Sequence, residues 1–409
     1  MQVTKYLHRV FAGLTLIIFA TSAYPAVGEE FDNFQTYFGK EFTADDIVFS
    51  DDGAVFVIGT KRFRTEDDKH DTTKLTQALY AKFDVEGNLL WSNECCLDGN
   101  TVAETAQRTP DEHYLVVVGY SQENSRGVYV LRIDQFGELV WSSALGVSAA
   151  IYVHGVVAVA DGGIIALLRS EGSPGLQLMK IAEDRSTSWT QTVSGSQGRL
   201  AVDTQGDIYV DTTIVDLDQG TASPSFHKFS QGGEKRWSLE INDDDLETNQ
   251  TGVNDFVISE NVILGVALSR SDNFAKGMVF GISTDGELLW RHLVDSGDPF
   301  GVFSDIALKT GEGFYASGWS GSGSGGLLAE KGWLAEFSST GDLIWQGKTN
   351  SGDRIEKVLG NNAEEILVFG KFSTDRDCLA QTTRDKIEMV PAIKSIRPMI
   401  GEHFCSLTK

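Results

Sequence analysis

The chain has 409 residues, of which 41% are hydrophobic, so it is long enough to bury a sizeable core. Its formal charge of −24 at pH 7 repels nucleic acid and anionic membrane surfaces, which argues against both as partners. The same charge is typical of a soluble protein that stays dispersed in an aqueous compartment.

The first predicted element is an export signal. A basic segment with Lys5 and Arg9 precedes an apolar run at residues 10–20, which is too short to span a bilayer comfortably. Small residues follow, so we predict a signal peptide over residues 1–28, cleaved within residues 22–28. No other stretch of the sequence is apolar enough to cross a membrane, and we expect a secreted or periplasmic protein without a membrane span.

After the signal, one segment recurs six times: an apolar strand, a turn, and a second strand that carries tryptophan. In five copies glycine stands four residues before the tryptophan, and Asp or Ser stands seven residues before it. Asp or Ser opens a hairpin turn, and glycine supplies the positive φ that closes it. The copy at Trp189 lacks both, so we expect it to have lost ideal turn geometry. The repeat tryptophans are Trp91, Trp141, Trp189, Trp237, Trp290 and Trp345.

A second type of hairpin precedes each of these segments and occurs seven times. An N-terminal strand at residues 34–37, with Phe34 in the aromatic position, would supply the missing outer strand and close a ring. The sequence therefore predicts an all-β fold with a single β-propeller over residues 29–409, ending in a closing segment at residues 378–409. We predict seven four-stranded blades, with six or eight as the alternatives.

The turn and strand around Asp84, Gly87 and Trp91 resemble the tryptophan-containing propeller repeats of bacterial exported proteins, the PQQ-like group. The resemblance extends over residues 34–377. It implies that the repeat tryptophans pack between blades. It leaves function open, since some members are quinoprotein dehydrogenases and others are non-catalytic scaffolds of envelope complexes.

Strand alternation places the short turns of both hairpin types on one face of the ring and the longer, variable loops on the other. Variable loops on a rigid scaffold are the usual place for binding, so we expect binding on the long-loop face. The predicted long loops are Lys61–Lys74, Asn93–Thr109, Asp243–Thr251, Asp295–Pro299 and Ser320–Lys331.

Alignment of the first hairpins brings six charged or polar residues to roughly one position, which we place at the start of the innermost strand, near the mouth of the central channel. Such a ring could bind a polar ligand or a metal. The alternative is that the recurring aspartates cap their strands, which leaves the non-recurring His154 and Arg199 as the better functional candidates. The six residues are Asp46, His154, Arg199, Asp255, Asp305 and Lys357.

Four cysteines in an exported chain suggest disulfides, and we predict a bond between Cys378 and Cys405. Cys95 and Cys96 are adjacent, so they either form a strained vicinal bridge or stay reduced, and the sequence does not decide between the two. Some quinoprotein dehydrogenases carry a vicinal disulfide over their cofactor. The acidic run at residues 243–245 could contribute to a calcium site, but a solvated loop is favoured. We predict no cofactor, with calcium and a quinone as the alternatives.

The sequence contains no nucleophile elbow, phosphate-binding loop or histidine pair with metal-ligand spacing. We therefore expect a non-catalytic binding or scaffold protein that presents its loops or channel mouth to an envelope or extracellular protein, or to a glycan. The alternative is a propeller enzyme, such as a quinoprotein-like oxidoreductase, a lyase or a hydrolase, with single catalytic residues around the channel. The ligand, any reaction and the oligomeric state are left open.

Overall fold

The computed structural model describes residue 38 and nineteen segments between residues 42 and 396. The predicted signal peptide, the strand at residues 34–37 and Cys405 lie outside the described residues. The described segments are 42–50, 54–63, 75–84, 88–95, 99–122, 125–146, 151–170, 172–173, 175–216, 221–241, 250–271, 274–309, 311–322, 331–351, 354–360, 365–372, 376–383, 387–390 and 393–396, with side chains described throughout most of them.

The described chain repeats one unit, an antiparallel sheet in which each strand pairs with the next along the sequence. Six units have four strands. The first three comprise β1 Phe42–Phe49, β2 Val55–Phe63, β3 Leu75–Phe83, β4 Leu89–Glu94, β5 Asn100–Arg108, β6 Tyr114–Gln122, β7 Ser125–Ile133, β8 Leu139–Gly146, β9 Ile151–Ala158, β10 Ile164–Ser170, β11 Gly175–Ile181 and β12 Thr187–Ser194. The next three comprise β13 Gly198–Val202, β14 Ile208–Asp216, β15 Thr221–Phe229, β16 Lys235–Glu240, β17 Gln250–Ser259, β18 Val262–Arg270, β19 Ala275–Ser283, β20 Leu288–Val294, β21 Phe300–Leu308, β22 Phe314–Gly321, β23 Lys331–Phe337 and β24 Leu343–Ser351.

A seventh unit has three described strands, β25 Arg354–Gly360, β26 Glu365–Phe372 and β27 Arg376–Thr383. The tail then forms a hairpin of β28 Ile387–Val390 and β29 Ile393–Ile396. Its second strand pairs in parallel with β24, so the hairpin lies along the outer strand of the sixth unit. The number of blades and the closing strand stay predictions.

The hydrophobic core lies between the units. Six clusters of buried residues each contain side chains from two consecutive units. In one of them, Leu167 of the third unit packs with Val210 of the fourth unit. A further cluster joins Phe38 to the first unit, including Phe42 and Phe83. Because each sheet has a neighbour on either face, its strands are apolar on both faces. Sheets that pack face to face in chain order in this way form a β-propeller.

The repeat tryptophans join consecutive units. Trp237 Nε1 donates to the carbonyl oxygen of Thr284 in the next unit at 3.0 Å. Gly286, at φ 93°, lies against the same indole ring, where an added Cβ would come within 2.8 Å of it. The glycine therefore has two roles, because it closes its own turn and leaves room for the preceding tryptophan. The same contact recurs in the pairs Trp91–Gly137, Trp189–Gly233 and Trp290–Gly341.

The turn before Trp189 corrects our prediction that it had lost its geometry. Arg185 occupies the glycine position at φ 71°, and its amide donates to the carbonyl oxygen of Ala182 at 2.8 Å. The Ala182 amide donates to Ser186 at 2.9 Å. These are the two hydrogen bonds that the other turns make, so the fold imposes the turn even without its preferred residues.

Candidate functional site at the channel

The first strand of each unit packs beside the first strand of the next, so these inner strands line the central channel. Six of the seven contain a β-bulge near the middle, where one extra residue shifts the register against the second strand. A bulge places two consecutive polar side chains beside the channel without breaking the sheet. The bulged residues are Asp45, Glu104, His154, Asn254, Ser304 and Glu356.

Asp46, Asp255, Asp305 and Lys357 each follow a bulge directly and so share one position. They lie near mid-strand, deeper in the channel than the strand start at which we placed them. His154 is itself the bulged residue, one position earlier than our alignment gave it, and Gly155 takes the shared position in the third unit. The structure thus brings these four residues to one level of the channel, together with Arg199, which takes the same register position in the fourth unit without a bulge.

Asp46 connects three units. Its Oδ2 accepts hydrogen bonds from Thr105 Oγ1 at 2.8 Å and from the Ala106 amide at 3.0 Å, both in the second unit. Its Oδ1 forms an ion pair with Lys357 Nζ in the seventh unit. Asp46 is only 4% exposed, so this carboxylate is almost fully engaged by its neighbours. The first and seventh units are therefore joined at the channel.

Asp305 makes the equivalent contact between the sixth and seventh units. Its Oδ2 accepts a hydrogen bond from the Val358 amide at 2.8 Å. Val358 has the same place in its inner strand as Ala106, because each directly follows the residue at the shared position. An aspartate that bonds the next inner strand in two units supports the structural alternative for the recurring aspartates.

A hydrogen bond also joins the carboxyl groups of Asp255 and Asp305. Burial raises the pKa of both groups, and the negative charge of Asp255 raises the pKa of Asp305 further. The positive charges of Arg199 and Lys357 oppose these shifts. Two buried carboxyl groups this close titrate as a coupled pair, in which Asp305 holds a proton more tightly than Asp255.

Asp211 is a site residue that our sequence analysis missed. It lies opposite Arg199 in the register, and its Oδ1 accepts the Arg199 amide at 2.5 Å. It is 1% exposed, and burial raises its pKa to about 7, while the nearby charge of Arg199 opposes the rise. The sequence signal that could have revealed Asp211 is an acidic residue within the second strand of a unit, at a position that is apolar in most other units. The residues at this register position in five other units are Ile58, Val117, Leu167, Val266 and Phe369.

His154 lies in a basic corner of the channel between the third and fourth units. Its Nε2 is enclosed and has no hydrogen-bond partner among the described residues. Burial lowers the pKa of His154, and the positive charges of Arg169 and Arg199 lower it further. Arg169 Nη1 reaches across to the carbonyl oxygen of Ser196 at 3.1 Å. The ring is therefore neutral at pH 7 and keeps an unused polar atom.

Aromatic side chains lie above this level, towards the long-loop face. Tyr152, near the start of β9, is 60% exposed and lies opposite Arg169 in the register. The guanidinium of Arg354 lies 5.2 Å from the ring centroid of Trp319. The loop at residues 295–299 is described, whereas most of the predicted loops at 61–74, 243–251 and 320–331 lies outside the described residues.

The predicted metal and disulfide features are mostly outside the described part of the chain. This holds for the acidic run at residues 243–245, for Cys96 and for the side chain of Cys378, whose backbone lies in β27; Cys95 is described and buried. Among the described residues, no group of three or more His, Cys, Asp or Glu side chains could hold a metal ion. Within the same residues, no helix has the length and apolar composition of a membrane span.

Comparison with known proteins shows the fold. No protein-family model matches the chain, and no curated protein does. The β-propeller domain of the Trilobed protease from Pyrococcus furiosus aligns at 10% identity over 84% of this chain and 93% of that one, with a TM-score of 0.51. A puromycin-hydrolyzing peptidase from Mycobacterium tuberculosis aligns at 12% identity over 84% of this chain, with a TM-score of 0.51, and this chain spans 51% of that peptidase. The predicted all-β propeller is confirmed.

Proposed function

We propose that this chain is an exported binding protein that presents its long-loop face and channel mouth to an envelope or extracellular protein, or to a glycan. The sequence signal at residues 1–28 supports export. The contacts of Asp46 and Asp305 support a structural role for the recurring channel carboxylates, because both bond the next inner strand. The tryptophan contacts between units are those that the PQQ-like resemblance implies.

The observation that carries the proposal is the exposure of Tyr152. This ring is 60% exposed, yet it lies on an inner strand that is paired with β10 along its length. A large aromatic side chain on a fixed strand offers contact area at low entropic cost, which is why tyrosine is frequent at the centre of binding surfaces. It lies where the long-loop face meets the channel.

Capture of partners from the host envelope tests the proposal. The tagged, exported protein is cross-linked in its native host, and co-purifying proteins and glycans are identified. We expect Tyr152→Ala to reduce the recovery of the main partner at least fivefold. Phe136→Ala is the matched control, because Phe136 is an equally exposed aromatic residue, 69% accessible, in a turn on the opposite face. Equal recovery with both variants would contradict binding at the channel mouth.

A second candidate function is catalysis by the buried carboxyl groups. Asp211, Asp255 and Asp305 all have raised pKa values, which is a property of many acid–base catalysts. This supports the alternative of a lyase, a hydrolase or another propeller enzyme. The test is turnover of glycan or peptide substrates by wild type, Asp305→Asn and the exposed variant Asp184→Asn. Turnover that is lost in Asp305→Asn but kept in Asp184→Asn would favour catalysis over the binding proposal.

A further inference from the structure

We infer that the basic corner between the third and fourth units binds a carboxylate-bearing sugar, a uronic acid unit of a glycan. The site consists of Tyr152 and His154 on β9, Arg169 on β10 and Arg199 on β13. The inference rests on the proposed binding role and names the ligand that the channel mouth would take.

Two positively charged arginines from two units, Arg169 and Arg199, lie near the neutral ring of His154 at this corner. Arg169 is paired with Tyr152 across the sheet, which places both side chains on the same face. That face is the one towards the fourth unit, because Arg169 donates to the carbonyl oxygen of Ser196 there. Arg199 extends from the first strand of the fourth unit and is exposed to the channel. Both guanidinium groups lie close enough to His154 for their charges to lower its pKa.

The corner also has unused hydrogen-bonding capacity. The enclosed Nε2 of His154 has no partner among the described residues. An enclosed polar atom without a partner costs about 1–3 kcal/mol of stability, so a folded protein that keeps one calls for an explanation. The shared inner-strand position is a glycine here, Gly155, which has no side chain to make a contact like those of Asp46 and Asp305. Because Nε2 is enclosed, a ligand would hydrogen-bond to it only after a shift of the His154 ring, whereas the guanidinium groups beside it would make the first contacts.

The chemistry of the corner favours a sugar acid over other anions. Guanidinium groups bind carboxylates through paired hydrogen bonds. The exposed ring of Tyr152 lies opposite Arg169 in the register and provides a flat, mostly apolar surface with a polar hydroxyl, which suits a sugar ring. An acidic protein would be repelled by the net charge of −24, whereas one uronic acid unit brings a single negative charge.

Asp211 and Asp255 lie near Arg199 and offset part of its charge. Arg169 donates to the uncharged carbonyl oxygen of Ser196, a contact that does not offset its charge. The corner therefore retains positive charge in an otherwise acidic channel, which gives a carboxylate a local preference for this place.

Nuclear magnetic resonance of the exported protein with labelled histidines tests the inference. Six histidines follow the predicted signal, and His154→Gln assigns the resonance of His154. We expect D-glucuronate at pH 7 to shift the His154 signal saturably, while D-glucose at the same concentration leaves it in place. No shift with D-glucuronate, or an equal shift with D-glucose, would overturn the inference. Acetate as effective as D-glucuronate would overturn the assignment to a sugar.

Two charge-matched variants localise the effect. We expect Arg199→Gln to weaken D-glucuronate binding at least tenfold and Arg236→Gln, an exposed arginine on β16, to leave it unchanged. Equal weakening by both would show a general charge effect and overturn the site. If thermal unfolding shows Arg199→Gln to be misfolded, Arg169→Gln takes its place with the same expectation. The protein could capture a partner through Tyr152 and yet show no response to D-glucuronate. That result would leave the proposed binding role intact and refute only the assignment of a uronic acid as the ligand.

Discussion

At the scale of single residues, Asp211 is the group whose burial should be most visible in solution. Its folded pKa of about 7 lies above the usual value of 3.8, so the folded state binds the proton more tightly than the unfolded state. Its contribution to the free energy of unfolding is therefore full below pH 4 and is lost as the pH rises to 7. His227, whose pKa burial lowers to about 4, acts in the opposite direction, because its buried neutral form is lost on acidification.

Asp211→Asn isolates this effect, because asparagine still offers an oxygen to the Arg199 amide but does not ionise. We expect the stability of the variant relative to wild type to increase between pH 4 and pH 7, by on the order of a few kcal/mol. Urea unfolding at a series of pH values measures it. Asp184→Asn is the control, since that exposed carboxyl has a pKa lowered by Ser186 and should change relative stability only in more acidic solution. A difference for Asp211→Asn that does not vary with pH would contradict the assignment.

Arg185 provides a second prediction at this scale. A side chain in the left-handed region costs about 1 kcal/mol, and Arg185 is exposed, so its side chain offers little in return. We expect Arg185→Gly to raise the free energy of unfolding by about 1 kcal/mol, as measured by urea unfolding. Arg185→Ala removes the same charge but retains the strain, and an equal gain from it would point to charge instead of backbone conformation.

The site residues show what can be predicted from sequence at this scale. The recurrence of Asp46, Asp255 and Asp305 was visible, because a repeat aligns them. Their partners were not, because the amides of Ala106 and Val358 carry no side-chain signature. Asp211 was overlooked because a single acid in an apolar strand gains meaning only when the register places it opposite Arg199.

At the scale of the hairpin, the tryptophan and glycine of consecutive units form the recurring contact. Gly286→Ala should cost about 1 kcal/mol for its positive φ and a further 1–3 kcal/mol for the collision with the Trp237 ring. Gly311→Ala is the matched control, because Gly311 has a similar φ of 100° and no atom within 4 Å of the added Cβ. Calorimetric unfolding compares the two. Equal losses would show that the tryptophan contact contributes nothing.

The hairpins were the elements that sequence patterns predicted best, since turn residues and strand alternation act locally. The bulges were not predicted, because a bulge is defined by the register between two strands. Their trace in the sequence is a pair of polar residues within an apolar strand, as in Glu104-Thr105 and Ser304-Asp305. The pairing of β29 with β24 was not predicted, because no repeat pattern connects the tail with that strand.

At the scale of the whole molecule, the account depends on how the two ends of the ring meet. A propeller brings its first and last units together, and covalent continuity does not hold that junction. Asp46 and Lys357 form an ion pair across it, while Asp46 also bonds the second unit. The sequence predicted a junction through an N-terminal strand but gave no sign of this pair, because the two residues are brought together only by the closed fold.

A double-mutant cycle on this pair is the most direct test of the claim that the channel carboxylates hold the ring together. The free energy of unfolding is measured for wild type, Asp46→Asn, Lys357→Met and the double variant. We predict that both single variants are destabilised and that the double variant loses less than their sum, with a coupling energy of about 1–2 kcal/mol. Additive losses, with a coupling energy near zero, would contradict the claim and return these residues to the list of candidates for ligand binding or catalysis.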